Sequence, residues 1–182
     1  DENVDIDIQV EERSTGQFNV GLSFDSFEGA TFMTGLNEKN IMGDGRDLRL
    51  EINTSPSNTV YSFGIVEPYI FNRKIDLIYD INYQEKDYSN SASYDVTGFN
   101  TNFGFRYLLS EDLRHLITLE YQLKDYYITN SSTASDSIKK LSGNNAAILL
   151  NNELSYNNLN SFIRPTKGNY VSYFNTISPS TN

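Results

Sequence analysis

A single histidine, His115, is available as a general base or an imidazole ligand in this 182-residue chain, and there is no cysteine. A serine–histidine–acid relay or a metal centre would have to be assembled around that one ring. His115 follows Asp112-Leu113-Arg114 at the start of an alternating segment, which reads as a turn or surface position. The adjacent acids Glu11-Glu12 and Glu111-Asp112 fall at segment ends, where solvated carboxylates are ordinary. Gly43-Asp44-Gly45 lacks the lysine and the following helix of a phosphate-binding loop. Asn53-Thr54-Ser55 and Asn130-Ser131-Ser132 fit the glycosylation pattern, as chance supplies in an asparagine-rich chain. Nothing here builds an enzyme, and no catalytic residue, metal or cofactor is expected.

Charge narrows the partners. The chain carries 14 Lys and Arg against 24 Asp and Glu, a net charge of −10. Nucleic acid is excluded on that ground, because neutralising phosphates needs a basic stripe. No run of about eighteen apolar residues occurs, which rules out a membrane-spanning helix but not membrane strands. The chain opens Asp1-Glu2-Asn3, without the basic and apolar regions of a signal peptide. The expectation is that a leader has been removed or that this is an internal piece of a longer chain.

What remains is the chemistry of the main chain. Gln17-Phe18-Asn19-Val20-Gly21-Leu22-Ser23-Phe24-Asp25 alternates small or polar residues with apolar ones. Side chains of a strand point to opposite faces with a period of two. The pattern returns along the whole chain. Val4 to Val10 reads as an amphipathic strand, Ser26 to Gly29 as a tight turn, and Ala30 to Ile41 as the next strand. Further strands follow at Asp47 to Thr54 and Thr59 to Tyr69, then through Ile75 to Tyr83, Phe99 to Tyr107 and Ile117 to Leu123. Asn145 to Tyr156 and Asn169 to Ile177 complete the series. Polar loops are expected at Glu85 to Ser93 and Thr129 to Gly143, the second with one helical turn over Ser135 to Leu141.

Such alternation predicts an all-β, antiparallel up-and-down meander with one apolar and one polar face. Two architectures satisfy it: a soluble sandwich or barrel with the apolar face inward, and an outer-membrane barrel with that face outward. Hydrophobic residues are only 38% of the chain, low for a closed apolar core, while aromatics reach 13% from 13 Tyr and 11 Phe. In the membrane architecture Leu48, Leu50, Ile52, Ile75, Leu77, Ile81, Phe103, Phe105, Ile117 and Leu119 face lipid. Asp47, Arg49, Glu51, Asp76, Asp80, Arg106, Glu120 and Lys124 then line the lumen. Tyr69, Phe71, Tyr88, Tyr107, Tyr126, Tyr127 and Tyr156, near strand ends, are candidates for interfacial aromatic girdles.

Five segments, in order and in register, resemble the Omp85 family of outer-membrane barrels. Val10-Glu11-Glu12-Arg13-Ser14-Thr15-Gly16-Gln17-Phe18-Asn19-Val20-Gly21, with Phe27-Glu28-Gly29, resembles the junction between the last POTRA domain and the first barrel strand. Asn37 to Gly45 is similar to the end of the family's second strand and its inner turn. Glu67-Pro68-Tyr69-Ile70-Phe71 with Arg73 resembles its D-P-Y-F turn, with Glu for Asp. Leu109-Ser110-Glu111-Asp112-Leu113-Arg114 resembles the next inner connection. Leu154 to Leu159 with Arg164-Pro165-Thr166-Lys167-Gly168 resembles the one after it.

The resemblance implies a protein of the Gram-negative outer membrane that folds and inserts other β-barrels. It implies residues 1–15 as the last POTRA strand and linker on the periplasmic side, and 16–182 as the N-terminal half of the barrel, about nine strands. The implied partners are client outer-membrane proteins, the lipid bilayer, and assembly-complex lipoproteins reached through POTRA domains outside this stretch. Gln17, Phe18, Asn19, Val20, Gly21, Leu22, Ser23, Phe24 and Asp25 would then form the edge that pairs with a client's terminal strand. The family's R-G-F/Y lumen-loop motif is not matched, which fits a fragment. An open meander with free edges at Gln17 to Asp25 and Asn169 to Ile177 is therefore expected. Two alternatives stand beside this reading. One is a TamA-like factor or two-partner-secretion transporter of the same superfamily; the other is a soluble β-barrel ligand-binding module.

Overall fold

The computed structural model describes residues 7, 9, 11, 14–26 and 28–181. Most of the Val4 to Val10 segment, and Phe27, lie outside the described residues. Among the described residues nine strands form one antiparallel sheet in strict sequence order. They are β1 (Gly16–Asp25), β2 (Gly29–Ile41), β3 (Arg46–Thr54), β4 (Asn58–Glu67), β5 (Ile75–Asp87), β6 (Tyr94–Leu108), β7 (Leu113–Ile128), β8 (Gly143–Asn157) and β9 (Tyr170–Thr181). Each strand pairs with its sequence neighbours, and among the described residues β1 does not pair with β9, so this meander is open.

The register decides which residues share a face. Leu50 is opposite Phe63, Phe63 opposite Ile81, Ile81 opposite Thr101, and Thr101 opposite Tyr121. Leu77, Phe105 and Ile117 form a parallel row, as do Tyr79, Phe103 and Leu119. All ten residues expected to face lipid therefore lie on one surface. The eight expected in the lumen lie on the other. Asp76 is opposite Arg106, and the Arg106 Nε and Nη2 donate to one Asp76 carboxylate oxygen at 2.9 and 2.8 Å. On the same polar face Asn82 donates to Ser62 at 2.8 Å, Asn151 to Glu120 at 3.0 Å, and Thr176 to Asn151 at 2.7 Å. Asp80, Asn102, Thr118, Glu120, Asn151 and Thr176 line one trough across β5 to β9, so the polar face is concave. A soluble barrel would need the reverse arrangement. On the apolar face Phe63 and Tyr79 stack edge-on at 6.4 Å.

The connections fall into two sets. At the Gly16 end lie 42–45, 68–74, 109–112 and 158–169; at the opposite end lie 26–28, 55–57, 88–93 and 129–142. The helical turn expected over Ser135 to Leu141 is present as α2 (Asp136–Leu141), with the Ser135 hydroxyl accepting the Ile138 N–H at 3.3 Å. A one-turn helix, α1 (Ser89–Ala92), also sits in 88–93. In 42–45 Gly43 and Gly45 take φ of +82° and +73°, which a side chain would oppose. The 68–74 turn is less relaxed. Tyr69, Phe71 and Asn72 all take φ near +56°, and Phe71 is 84% exposed.

Several expectations need correction. Tyr126 faces the concave side with Tyr94, at a ring separation of 6.1 Å, and Tyr88 stacks on Tyr94 at 5.0 Å. Tyr88 and Tyr126 therefore line the polar mouth and belong to no lipid-facing girdle, because each strand's parity is imposed by its neighbours. Tyr107, Tyr127 and Tyr156 do occupy the apolar face. His115 lies near the start of a strand, as expected, and is not in a turn. It stands in β7 on the apolar face, its Nδ1 2.7 Å from the Tyr107 hydroxyl. β5 extends to Asp87 and β9 runs Tyr170–Thr181, both past the expected limits, because pairing with a longer neighbour continues the ladder through polar residues. Alternation also fails locally. Asn152 and Asn175 oppose one another on the apolar face, and Phe174 lies on the polar one.

Two expected outcomes follow from this packing. In the whole barrel, Leu119→Arg should cost about 2–4 kcal/mol of stability, because a mid-membrane cation then faces lipid, whereas Gln122→Arg should cost under about 1 kcal/mol. Equilibrium urea unfolding in lipid vesicles compares the two. At Gly104 a Cβ would lie 2.1 Å from the Ile117 carbonyl oxygen and 2.6 Å from Thr118 Cγ2. Gly104→Ala should therefore push β6 from β7 and destabilise by roughly 1–3 kcal/mol, visible as loss of the heat-resistant folded band on unheated gels.

Candidate functional site

An edge strand is a chemical site without a reactive side chain. Its unpaired N–H and C=O groups are strong hydrogen-bonding groups that must find partners away from water. The ten-residue β1 meets β2 along its whole length, from Gly16 opposite Glu38 to Asp25 opposite Gly29, with no register shift. Its other edge has no strand against it among the described residues. β1 thus offers an unbroken, bulge-free ladder on one side. β9, by contrast, pairs with β8 through a shift between Ile148 and Leu150.

The two faces of β1 are as different as anywhere in the sheet. Phe18, Val20, Leu22 and Phe24 point to the apolar face and are 71%, 60%, 81% and 81% exposed. Gln17, Asn19, Gly21, Ser23 and Asp25 point to the concave polar face. All nine residues expected at the edge are therefore brought together, in one strand with one free side. At the far end the Asp25 carboxylate accepts the Glu28 N–H at 2.6 Å and closes the turn into β2. At the near end the Thr15 hydroxyl donates to the Glu38 carboxylate. Sequence reasoning missed Thr15 and Glu38. The sequence carries no signal for them, because it is the β1–β2 register that sets Glu38 opposite Gly16.

Gly21 is covered by Met33, whose Cε would be 3.3 Å from a Cβ there. Among the described residues no cluster of histidine and acids is arranged to hold a metal ion.

Comparison with known proteins bears on this geometry. The description of the Omp85 superfamily domain matches residues 40–179. The chain belongs to the Omp85 superfamily. As an Omp85 chain it is placed in the Gram-negative outer membrane, the setting its outward apolar face requires. It is 30% identical over 107 residues to the outer membrane protein assembly factor BamA of Buchnera aphidicola subsp. Acyrthosiphon pisum (strain APS), which is 56% of this chain and 17% of that protein. Its fold is similar to the crystal structure of BamA from Haemophilus ducreyi lacking POTRA domains 1–3. There the TM-score is 0.71 and the identity 21%, over 94% of this chain and 35% of that one. The Omp85 chain thus spans about a third or less of the length of these relatives.

Replacing Gly21 tests how the edge is tuned. Glycine lowers strand stability by roughly 0.5–1 kcal/mol relative to alanine, and the neighbour a methyl would meet is the flexible end of Met33. Gly21→Ala should therefore raise the melting midpoint of the whole barrel slightly, and more so alongside Met33→Ala.

Proposed function

We propose that this chain is part of an outer-membrane assembly factor that folds and inserts client β-barrels, and that β1 pairs with the client's terminal strand. The observation that carries the reading is β1 itself, the first strand of the sheet, bulge-free against β2 over ten residues and two-faced. Strand addition takes its affinity from main-chain bonds, which every client sequence can supply. A client strand added at this edge would continue both surfaces, with apolar side chains beside Phe18, Val20, Leu22 and Phe24 and polar ones beside Gln17, Asn19 and Ser23. The register would reject a one-residue slip, since that slip turns an entire strand's apolar set toward the lumen.

The work done is binding and templating, without a catalytic residue. The backbone groups of a strand entering lipid must be paired, since each unpaired one costs several kcal/mol in hydrocarbon. An edge already standing in the membrane lowers that barrier for the first client strand. The name of the Buchnera relative, an outer membrane protein assembly factor, supports the same role. Periplasmic partners would be engaged by POTRA domains preceding β1.

Cysteines introduced into the full-length protein make the test. These 182 residues contain no native cysteine, and any elsewhere in the full-length protein is first replaced by serine. Positions from Gln17 to Asp25 should crosslink to a client's terminal strand during assembly, and positions from Asp76 to Tyr83, in the paired interior strand β5, should not. Equal crosslinking from both would remove the case for a client-pairing edge. Crosslinks confined to lumen-facing positions throughout the barrel would favour export through the lumen, as in a two-partner-secretion transporter.

A further inference from the structure

Side-chain bonds tie β1 to its surroundings at its two ends. Between Gln17 and Ser23 no side-chain hydrogen bond joins it to β2 among the described residues, so its middle is held by the ladder alone. At the far end the tie is Asp25, within the β1–β2 turn. At the near end it is Glu38, and that side chain is more than a simple partner.

One Glu38 oxygen, Oε1, accepts two donors: the Thr15 hydroxyl, just before β1, and the Asn40 N–H at 2.9 Å. Asn40 in turn organises the 42–45 turn, accepting the Gly45 N–H on its side chain at 2.6 Å and the Gly43 N–H on its carbonyl at 3.1 Å. The other oxygen, Oε2, lies over Gly16, where a Cβ would come within 2.7 Å. Gly16 is directly opposite Glu38 in the ladder. The β2–β3 register shifts between Glu38 and Ile41, which turns this stretch of β2 away from regular pairing with β3. A continuous path of bonds therefore runs from the inner turn through Asn40 and Glu38 to Thr15, and Gly16 leaves the space for it.

We propose that Glu38 is a latch that anchors the start of β1 to the 42–45 turn, acting as a positioning residue for the edge strand. The latch fixes the near end of β1 against β2, so that the opposite edge can exchange partners without β1 peeling away. Its use in client pairing rests on the function proposed above; the anchoring itself does not.

Hydrogen exchange in the full-length protein, held in lipid nanodiscs without client, separates the two. Glu38→Ala should speed exchange of the 16–20 amides roughly five- to tenfold, the size expected for loss of a charge-assisted bond at a partly exposed site. Exchange in β5 and β6 should stay unchanged. Thr15→Val should produce a comparable acceleration, and the double variant no more than the larger single effect. Glu38→Gln, which keeps an acceptor oxygen, should restore most of the protection. Unchanged exchange at 16–20, equal acceleration in β5 and β6, or additive single effects would each overturn the latch. Because no client is present, these outcomes are independent of whether β1 crosslinks to one.

Discussion

Everything in this sheet depends on the pairing of main-chain N–H and C=O groups in a medium that offers no water. A bilayer permits helices and closed sheets because only these satisfy their own backbone. A sheet that stays open inside it carries an edge whose bonding groups are costly until a partner arrives. On the function proposed above, that cost is what would make β1 a site. In a soluble protein the same edge would be solvated and a hazard for aggregation; at the lipid boundary it would be a directed demand for a strand.

The strict meander follows from the same constraint. Sequential antiparallel pairing keeps each new strand bonded to the previous one, and short turns suffice between them. Its consequence is two-sidedness: parity set in one strand is inherited by the next through the register, from Leu50 through Phe63 and Ile81 to Tyr121. The concave side then collects the charges, where Arg106 meets Asp76 and Glu120 meets Asn151. These bonds hold neighbouring strands in register as well as keeping ions from lipid.

Among the described residues β1, like β9, has one neighbour where the interior strands have two. Its stability rests on the ladder to β2 and on the ties at Asp25 and Glu38, while Gly21 leaves a gap that Met33 covers. An edge that accepts many different strands, as proposed above, would gain from this economy. Side-chain bonds along its middle would impose a partner sequence, whereas main-chain bonds do not. Omp85 membership and the proposed role meet here: a family of outer-membrane barrels, and a two-faced first strand to which a client strand would add.

Much of the architecture was legible in the residues, because period-two alternation directly reports a strand with one wet and one greasy face. The nine barrel strands and the sorting of Leu48 to Leu119 against Asp47 to Lys124 follow from it, while the loop at 129–142 and its helical turn were legible from polar composition, and the loop expected from Glu85 begins only after Asp87. Alternation within one strand carries no information about its neighbours, however, and that is where the tertiary structure decided. Tyr126 points into the mouth, Asn152 and Asn175 face each other on the apolar side, and His115 bonds Tyr107 because the register places them there. Contacts between residues distant in sequence were likewise hidden: Thr15 with Glu38, and Gly104 against the Ile117 carbonyl, arise only when strands close to backbone contact. The sequence by itself determined which residues alternate; the pairing of strands determined what each of them meets.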